Sequence, residues 1–203
     1  SAEAQAPGSG ILRELTVGVE LSIRDHATLM IVVSDNVATN LLIDRLGIAA
    51  INATMDRFGF PRTRLRERLD FPRIGEDGRN LAVSTPGELA GVMAALATGA
   101  ILGEASRAEI LGIMRRQQRL HLVPRYLPYD QDRDPLQTGE PDNGLRIANK
   151  TGGWGALRAD MALVEWPGTR YVVAIVAQGE DDRFWPENPV DRAIGRVSRL
   201  IFD

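Results

Sequence analysis

The hydrophobic period of this chain changes near residue 144, and few folds accommodate such a switch. Before it, apolar residues recur at helical spacing: Val37, Ala38, Leu41, Leu42 and Leu46 up to Gly47, then Ile48, Ile51, Met55 and Phe58 up to Gly59. In Ser84-Thr85-Pro86-Gly87-Glu88, Thr85 can cap a helix, Pro86 suits its first position and Glu88 can reach back to the cap nitrogen. That helix continues through Leu89, Val92, Met93 and Leu96 to Gly99, and another spans residues 105–117 with Ile110, Leu111, Ile113 and Met114 inward. Arg115 and Arg116 stand at its C-terminal end, where the helix dipole favours cations. Two stretches lack any period, 61–81 with Pro72, Gly75 and Gly78, and 126–144 with Pro128, Pro135, Gly139 and Pro141; both read as long surface loops.

After Gly144 the rhythm is that of strands, at 145–149, 159–165 and 171–178, with Trp166-Pro167-Gly168-Thr169 as the turn of an antiparallel hairpin. Residues 189–202 then place Val190, Ile194, Val197, Leu200 and Ile201 on one helical face, fit to cover a sheet. The pattern predicts an α+β chain: a helical domain over 8–144, then an antiparallel sheet with a C-terminal covering helix over 145–203. At 203 residues and 44% hydrophobic, it can bury a core without disulfides or a metal.

Composition narrows the chemistry. Cysteine is absent and the only histidines are His26 and His121, which argues against thiol nucleophiles, iron–sulfur clusters and histidine-rich metal centres, so neither metal nor cofactor is expected. A net charge of −3 speaks against a nucleic-acid or anionic-membrane surface. The longest apolar runs, 29–33 and 171–177, fall well short of the ~20 residues of a membrane helix, and residues 1–10 do not read as a signal peptide. Small molecules and proteins remain as partners.

All but one of the 24 basic residues are arginine, and the single lysine opens Lys150-Thr151-Gly152-Gly153 at the end of the first strand. The other motif, Ser34-Asp35-Asn36, stands between an apolar helix ending at Val33 and the helix that begins near Val37. A hydroxyl and an ammonium near a carboxylate-bearing substrate, with a strand edge whose N–H groups hold an oxyanion, would make one site. Each motif also has a plainer reading, Ser34 as an N-cap with Asn36 as a turn residue, and the lysine motif as an ordinary strand end. An S-D-N element followed by a K-T-G element is, however, the combined signature of class A β-lactamases and penicillin-binding proteins. The run Ser34-Asp35-Asn36-Val37-Ala38-Thr39-Asn40-Leu41-Leu42-Ile43-Asp44-Arg45-Leu46-Gly47 resembles the S-D-N helix of class A β-lactamases almost residue for residue. Gly8-Ser9-Gly10-Ile11-Leu12-Arg13-Glu14-Leu15, Leu29-Met30-Ile31, Ser84-Thr85-Pro86 and the stretch from Lys150 to Asp160 fall in that family's order too.

The resemblance implies a serine β-lactamase fold and a metal-free acyl-enzyme reaction on β-lactams or acyl-D-alanyl substrates. It implies that Ser34 relays a proton to the leaving nitrogen, and that Asn36 holds the substrate's amide side chain and the catalytic lysine. Lys150 would supply positive potential, Thr151 would bind the substrate carboxylate along the Lys150-Thr151-Gly152 edge, and the Gly153 N–H would be one of two oxyanion donors. Arg158 is either an auxiliary carboxylate clamp or a solvated hairpin arginine, and Trp154 either a cleft wall or packing. The resemblance also implies export to the periplasm or beyond.

The chain departs from the family pattern in two places. Its nucleophile lies in an S-x-x-K element, which these 203 residues lack, since the residue three before the only lysine is Ile147. The expectation is therefore a chain matching the C-terminal three-quarters of such an enzyme, one that exposes apolar surface and forms homo-oligomers. A truncated, non-catalytic binding protein and a penicillin-binding-like peptidase are the other readings. In the loop from Thr63 to Pro86, the position of the family's deacylating glutamate reads Leu69 and its asparagine partner reads Arg73. Glu67 and Asp70 nearby are expected to be solvated. His121 with Asp130 or Asp132 is a weaker candidate base, against a packed or surface histidine.

Overall fold

The computed structural model describes residues 5–129 and 143–203. By packing the chain forms two units, Ser1–Glu88 and Leu89–Asp203.

The first unit is helical. α1 (Ile23–Val32) begins with a capping box in which the Ser22 hydroxyl accepts from the Asp25 N–H and the Asp25 carboxylate accepts from the Ser22 N–H. α2 (Asn36–Leu46) ends at Gly47 and α3 (Ile48–Arg57) follows at once, as the apolar spacing predicts. Leu12, Val37 and Ala38 are buried together against Leu29, Met30 and Leu41.

The aperiodic stretch that follows is more ordered than its sequence suggests. A two-residue antiparallel ladder pairs β1 (Arg64–Leu65) with β2 (Ala82–Val83), and Asp70 caps a one-turn helix, α4 (Phe71–Ile74), whose Ile74 is buried. Three side chains from flanking helices hold its backbone. Buried Asn40 donates to the Leu69 carbonyl and accepts from the Leu69 N–H (3.2 and 2.8 Å). Asn52 does the same for Leu65 (2.8 and 2.9 Å). Glu88 accepts from the Arg62 N–H and the Thr63 hydroxyl. The expected helix start at Thr85 forms, its hydroxyl accepting from the Glu88 N–H, but the Glu88 carboxylate is directed to the loop, where it meets three donors.

The second unit carries α5 (Pro86–Thr98) onward. Here α6 (Glu104–Met114) packs on β3 (Arg146–Trp154), which pairs with β4 (Leu157–Trp166), which pairs with β5 (Thr169–Gln178), all antiparallel. The β4–β5 turn is the predicted Pro167-Gly168. β3 runs five residues further than its apolar pattern implies, so Lys150-Thr151-Gly152-Gly153 lies inside the strand, with the hairpin turn beyond it at Gly155. Two adjacent glycines hide a strand from a hydrophobicity pattern, whereas β4 supplies a pairing partner for every residue through Trp154. Leu122, Val123, Leu127, Leu145, Ile147, Ala162, Val164 and Ile194 form the buried core of this unit.

α7 (Pro189–Phe202) matches its predicted bounds, but its rotation differs from the apolar stripe. Asp191, Ile194, Gly195 and Ser198 are buried, while Val197, Leu200 and Ile201 are 45%, 77% and 50% exposed. Two contacts decide this. A Cβ at Gly195 would lie 3.0 Å from side-chain atoms of Arg125 and Tyr126, so any larger residue there would push those neighbours aside. Asp191 is also drawn inward by Arg158, at 3.3 Å. Among the described residues no helix is long and apolar enough to cross a membrane.

Candidate active site

Ser34 is not the N-cap of α2. That role belongs to Asp35, whose Oδ1 accepts from the Ala38 N–H at 2.9 Å while its Oδ2 accepts from the Ile11 and Leu12 N–H groups at 2.7 and 2.9 Å. Asp35 is fully buried, so these three donors stand in for the water that its carboxylate has lost. Ser34 bridges α1 and α2 with φ 56°, and among the described residues no other non-glycine has positive φ. Such a backbone costs of order 1 kcal/mol and persists where surrounding bonds impose it. Here the Ser34 carbonyl accepts from the Ser9 hydroxyl at 2.7 Å, and the next-but-one N–H, of Asn36, donates to the Ser9 carbonyl at 3.0 Å. The Asn36 side chain donates to the Pro7 carbonyl at 2.6 Å. Gly8 and Gly10 allow this wrapping: both have positive φ, and a Cβ would come within 2.7 Å of the Asn36 amide and 2.3 Å of the Asp35 carboxylate respectively. The strap of residues 7–12 and the S-D-N turn thus define each other, which the sequence signalled only through the order of its motifs.

In the second unit Lys150 is half-buried and donates from Nζ to the Thr151 carbonyl at 2.6 Å. Burial pushes its pKa down to about 8, the Arg119 charge adding to the fall and the Asp160 carboxylate opposing it. Thr151 is buried and Gly152 and Gly153 are exposed. Among the described residues β3 has a strand on one side only, so every second N–H along it points away from that neighbour. Behind the motif lies a buried polar group that the sequence did not reveal. The Asp160 carboxylate, opposite Thr151, accepts from the Val123 N–H at 3.0 Å and from Asn149 Nδ2 at 3.1 Å, and burial raises its pKa to about 7. Gln117 donates to the Asn149 carbonyl at 3.2 Å, joining the end of α6 to β3.

Other expectations need revision. Arg158 is 1% exposed, hence no solvated hairpin arginine, and its guanidinium donates to the carbonyls of Gly155, Leu157, Asp182 and Arg183 (2.5–3.1 Å) and pairs with Asp191. With those donors engaged it is built to tie loop 179–188 to the sheet. His121 faces Asp191 at 3.9 Å; Asp130 and Asp132 lie outside the described residues. Burial lowers the His121 pKa and raises that of Asp191. Glu67 pairs with Arg73 at 3.2 Å and Asp70 caps α4, so both are structurally engaged instead of merely solvated. Trp154 is half-buried at the end of β3, and Trp185, 40% exposed, donates to Asp181 at 3.1 Å. No group of three metal-ligating side chains occurs among the described residues.

A helical unit with a strained S-D-N turn and a second unit with a lysine-bearing edge strand on an antiparallel sheet define the α+β fold of serine β-lactamases and transpeptidases. The chain belongs to the β-lactamase enzyme family, whose model matches residues 1–203. A β-lactamase from Sphaerobacter thermophilus is 28% identical with TM-score 0.82, covering 99% of this chain and 70% of its own. PBP-A is 31% identical with TM-score 0.77, covering 98% and 67%. A leucine-to-glutamate mutant of PBP-A, in an acyl-enzyme complex with penicillin-G, matches at 30% identity and TM-score 0.77 over the same shares. The chain thus spans about two thirds of the length of these relatives. No curated protein is similar enough in sequence to match.

Proposed function

We propose that this chain carries the substrate-anchoring part of a serine hydrolase of the class A β-lactamase type. Its substrates are β-lactams or related acyl-D-alanyl compounds. The observation that carries the reading is the setting of Lys150, a half-buried ammonium beside Thr151 on a strand that continues through two exposed glycines to Trp154. At neutral pH a lysine of pKa about 8 is mostly charged, and poor solvation strengthens its attraction for a substrate carboxylate. Thr151 adds a hydroxyl to that carboxylate, and the Gly153 N–H stabilises negative charge developing on the carbonyl oxygen. In the proposed reaction a serine Oγ–C bond forms and the lactam C–N bond breaks. Ser34 passes a proton to the departing nitrogen, while Asn36 holds the acyl amide. The attacking serine and its lysine belong to an S-x-x-K element, which is not among these 203 residues. The reading includes export of the whole protein, as in the family it resembles.

Leu69 favours a variant of this reading. With an apolar side chain where a deacylating glutamate is expected, the acyl-enzyme would form and persist, as in a penicillin-binding peptidase. The experiment is the intact mass of the purified protein before and after penicillin-G. A stable adduct on a protein heavier than the 22.2 kDa of these 203 residues supports acylation with slow release, the serine of the S-x-x-K element being the group acylated. An unchanged mass of 22.2 kDa overturns the hydrolase reading for this chain and favours a non-catalytic binding protein.

A further inference from the structure

Phe184 is 65% exposed, yet one face of its ring is covered by a buried guanidinium. The guanidinium of buried Arg158 lies 3.9 Å from its ring centroid and donates to the carbonyls of Asp182 and Arg183 on its N-terminal side. Asn188, itself fully buried, donates to the carbonyls of Asp181 and Arg183. The Asp181 carboxylate accepts from the Arg183 N–H and the Trp185 indole, closing the loop on itself. Loop 179–188 therefore sets the Phe184 ring over the Arg158 guanidinium while leaving most of it in water. A phenyl ring left mostly in water forgoes burial, and display of an apolar surface on a hydrogen-bonded loop suits a ligand contact.

The ring stands at the K-T-G-G strand. A Cβ built on Gly153 would lie 3.1 and 3.2 Å from two of its carbons and 3.3 Å from the Leu157 carbonyl oxygen, so Gly153 lacks a side chain where Phe184 packs. Side chains alternate along β3, hence Thr151 and the Cβ direction of Gly153 share a face, about 7 Å apart along the strand. Resting on the proposed function, in which Thr151 takes the substrate carboxylate, we propose that Phe184 is a specificity-determining residue. It receives the apolar ring that carries this carboxylate, such as the gem-dimethyl thiazolidine of a penicillin, and it discriminates against ring-less D-alanyl compounds. The acyl side chain at the far end of the ligand does not touch it.

The test is a titration of the isotope-labelled protein with penicillin-G and with N-acetyl-D-alanine, which has the carboxylate and no ring. With penicillin-G, the amides of Lys150 to Gly153 shift and saturation of protein aromatic protons reaches the gem-dimethyl group more than the phenyl group. Phe184→Ala weakens penicillin-G about fivefold, the weight of roughly 40 Å² of apolar contact, and leaves N-acetyl-D-alanine unchanged. Phe184→Leu retains most of the affinity. Amide shifts at Lys150 to Gly153 with no effect of Phe184→Ala on penicillin-G overturn the role of Phe184 and leave the proposed function standing. No shift at those amides overturns both.

Discussion

At Ser34 the backbone takes the left-handed conformation, in which a Cβ crowds the carbonyl that follows. Substituting Ser34→Gly relieves that crowding, so thermal melting should show the variant at least as stable as the parent, while loss of the hydroxyl slows any acylation that depends on it. A lowered melting temperature would mean that the side chain itself holds the turn. Lys150 leads to a pH dependence. Its pKa is depressed to about 8, so its charge, and with it the affinity for a carboxylate ligand, should fall as pH rises from 7 to 9. Binding titrations across that range check it, and Lys150→Met should give weak binding with no such dependence. Asp160 behaves in the opposite sense. Its folded pKa, raised to about 7, exceeds the value of an unfolded aspartate, so the native state binds the extra proton. Its effect on stability is therefore most favourable below pH 4 and is lost as pH rises through 7. Urea denaturation should show that slope shrink in Asp160→Asn, which keeps an acceptor for the Val123 N–H.

Among the elements, the loop between α3 and α5 depends on side chains outside itself. Asn40 satisfies both backbone groups of Leu69, and removing it leaves them unpaired in a half-buried setting. Asn40→Ala should cost about 2 kcal/mol in chemical denaturation and loosen the loop to hydrogen exchange. Asn40→Asp, which still accepts from the Leu69 N–H but has no donor for its carbonyl, should fall between the two. If Leu69 occupies the place of a deacylating group, Leu69→Glu should speed release of a penicillin adduct in time-resolved mass spectra. These clamps were not legible in the sequence, because Asn40 and Asn52 sit on helices where asparagine carries no periodic signal, and their partners lie 29 and 13 residues away. The helices themselves were legible, since their spacing and their glycine stops are local properties.

For the whole molecule, apolar side chains left in water set the expected behaviour in solution. Val197, Leu200 and Ile201 form an uncovered stripe on α7, and Ile11, Val17, Val19 and Ile23 are more than half exposed. Such patches favour self-association. The purified chain should sediment with concentration-dependent mass, and Leu200→Glu, at a position already 77% exposed, should shift it toward monomer without loss of fold. A concentration-independent monomer would overturn that expectation.

What the sequence determined by itself is what short spans of chain decide: most helix bounds, the Pro167-Gly168 hairpin, and two motifs whose order and composition already indicated the family. Tertiary structure decided which face α7 buries, because Gly195 had to meet Tyr126 and Asp191 had to meet Arg158. It also made Asp35 the cap and left Ser34 strained, buried Arg158 against the carbonyls of loop 179–188, and carried β3 on through its glycines to Trp154. In each case the outcome turned on a partner far along the chain, whose distance no local pattern encodes, and on the need of every buried polar group for a hydrogen bond.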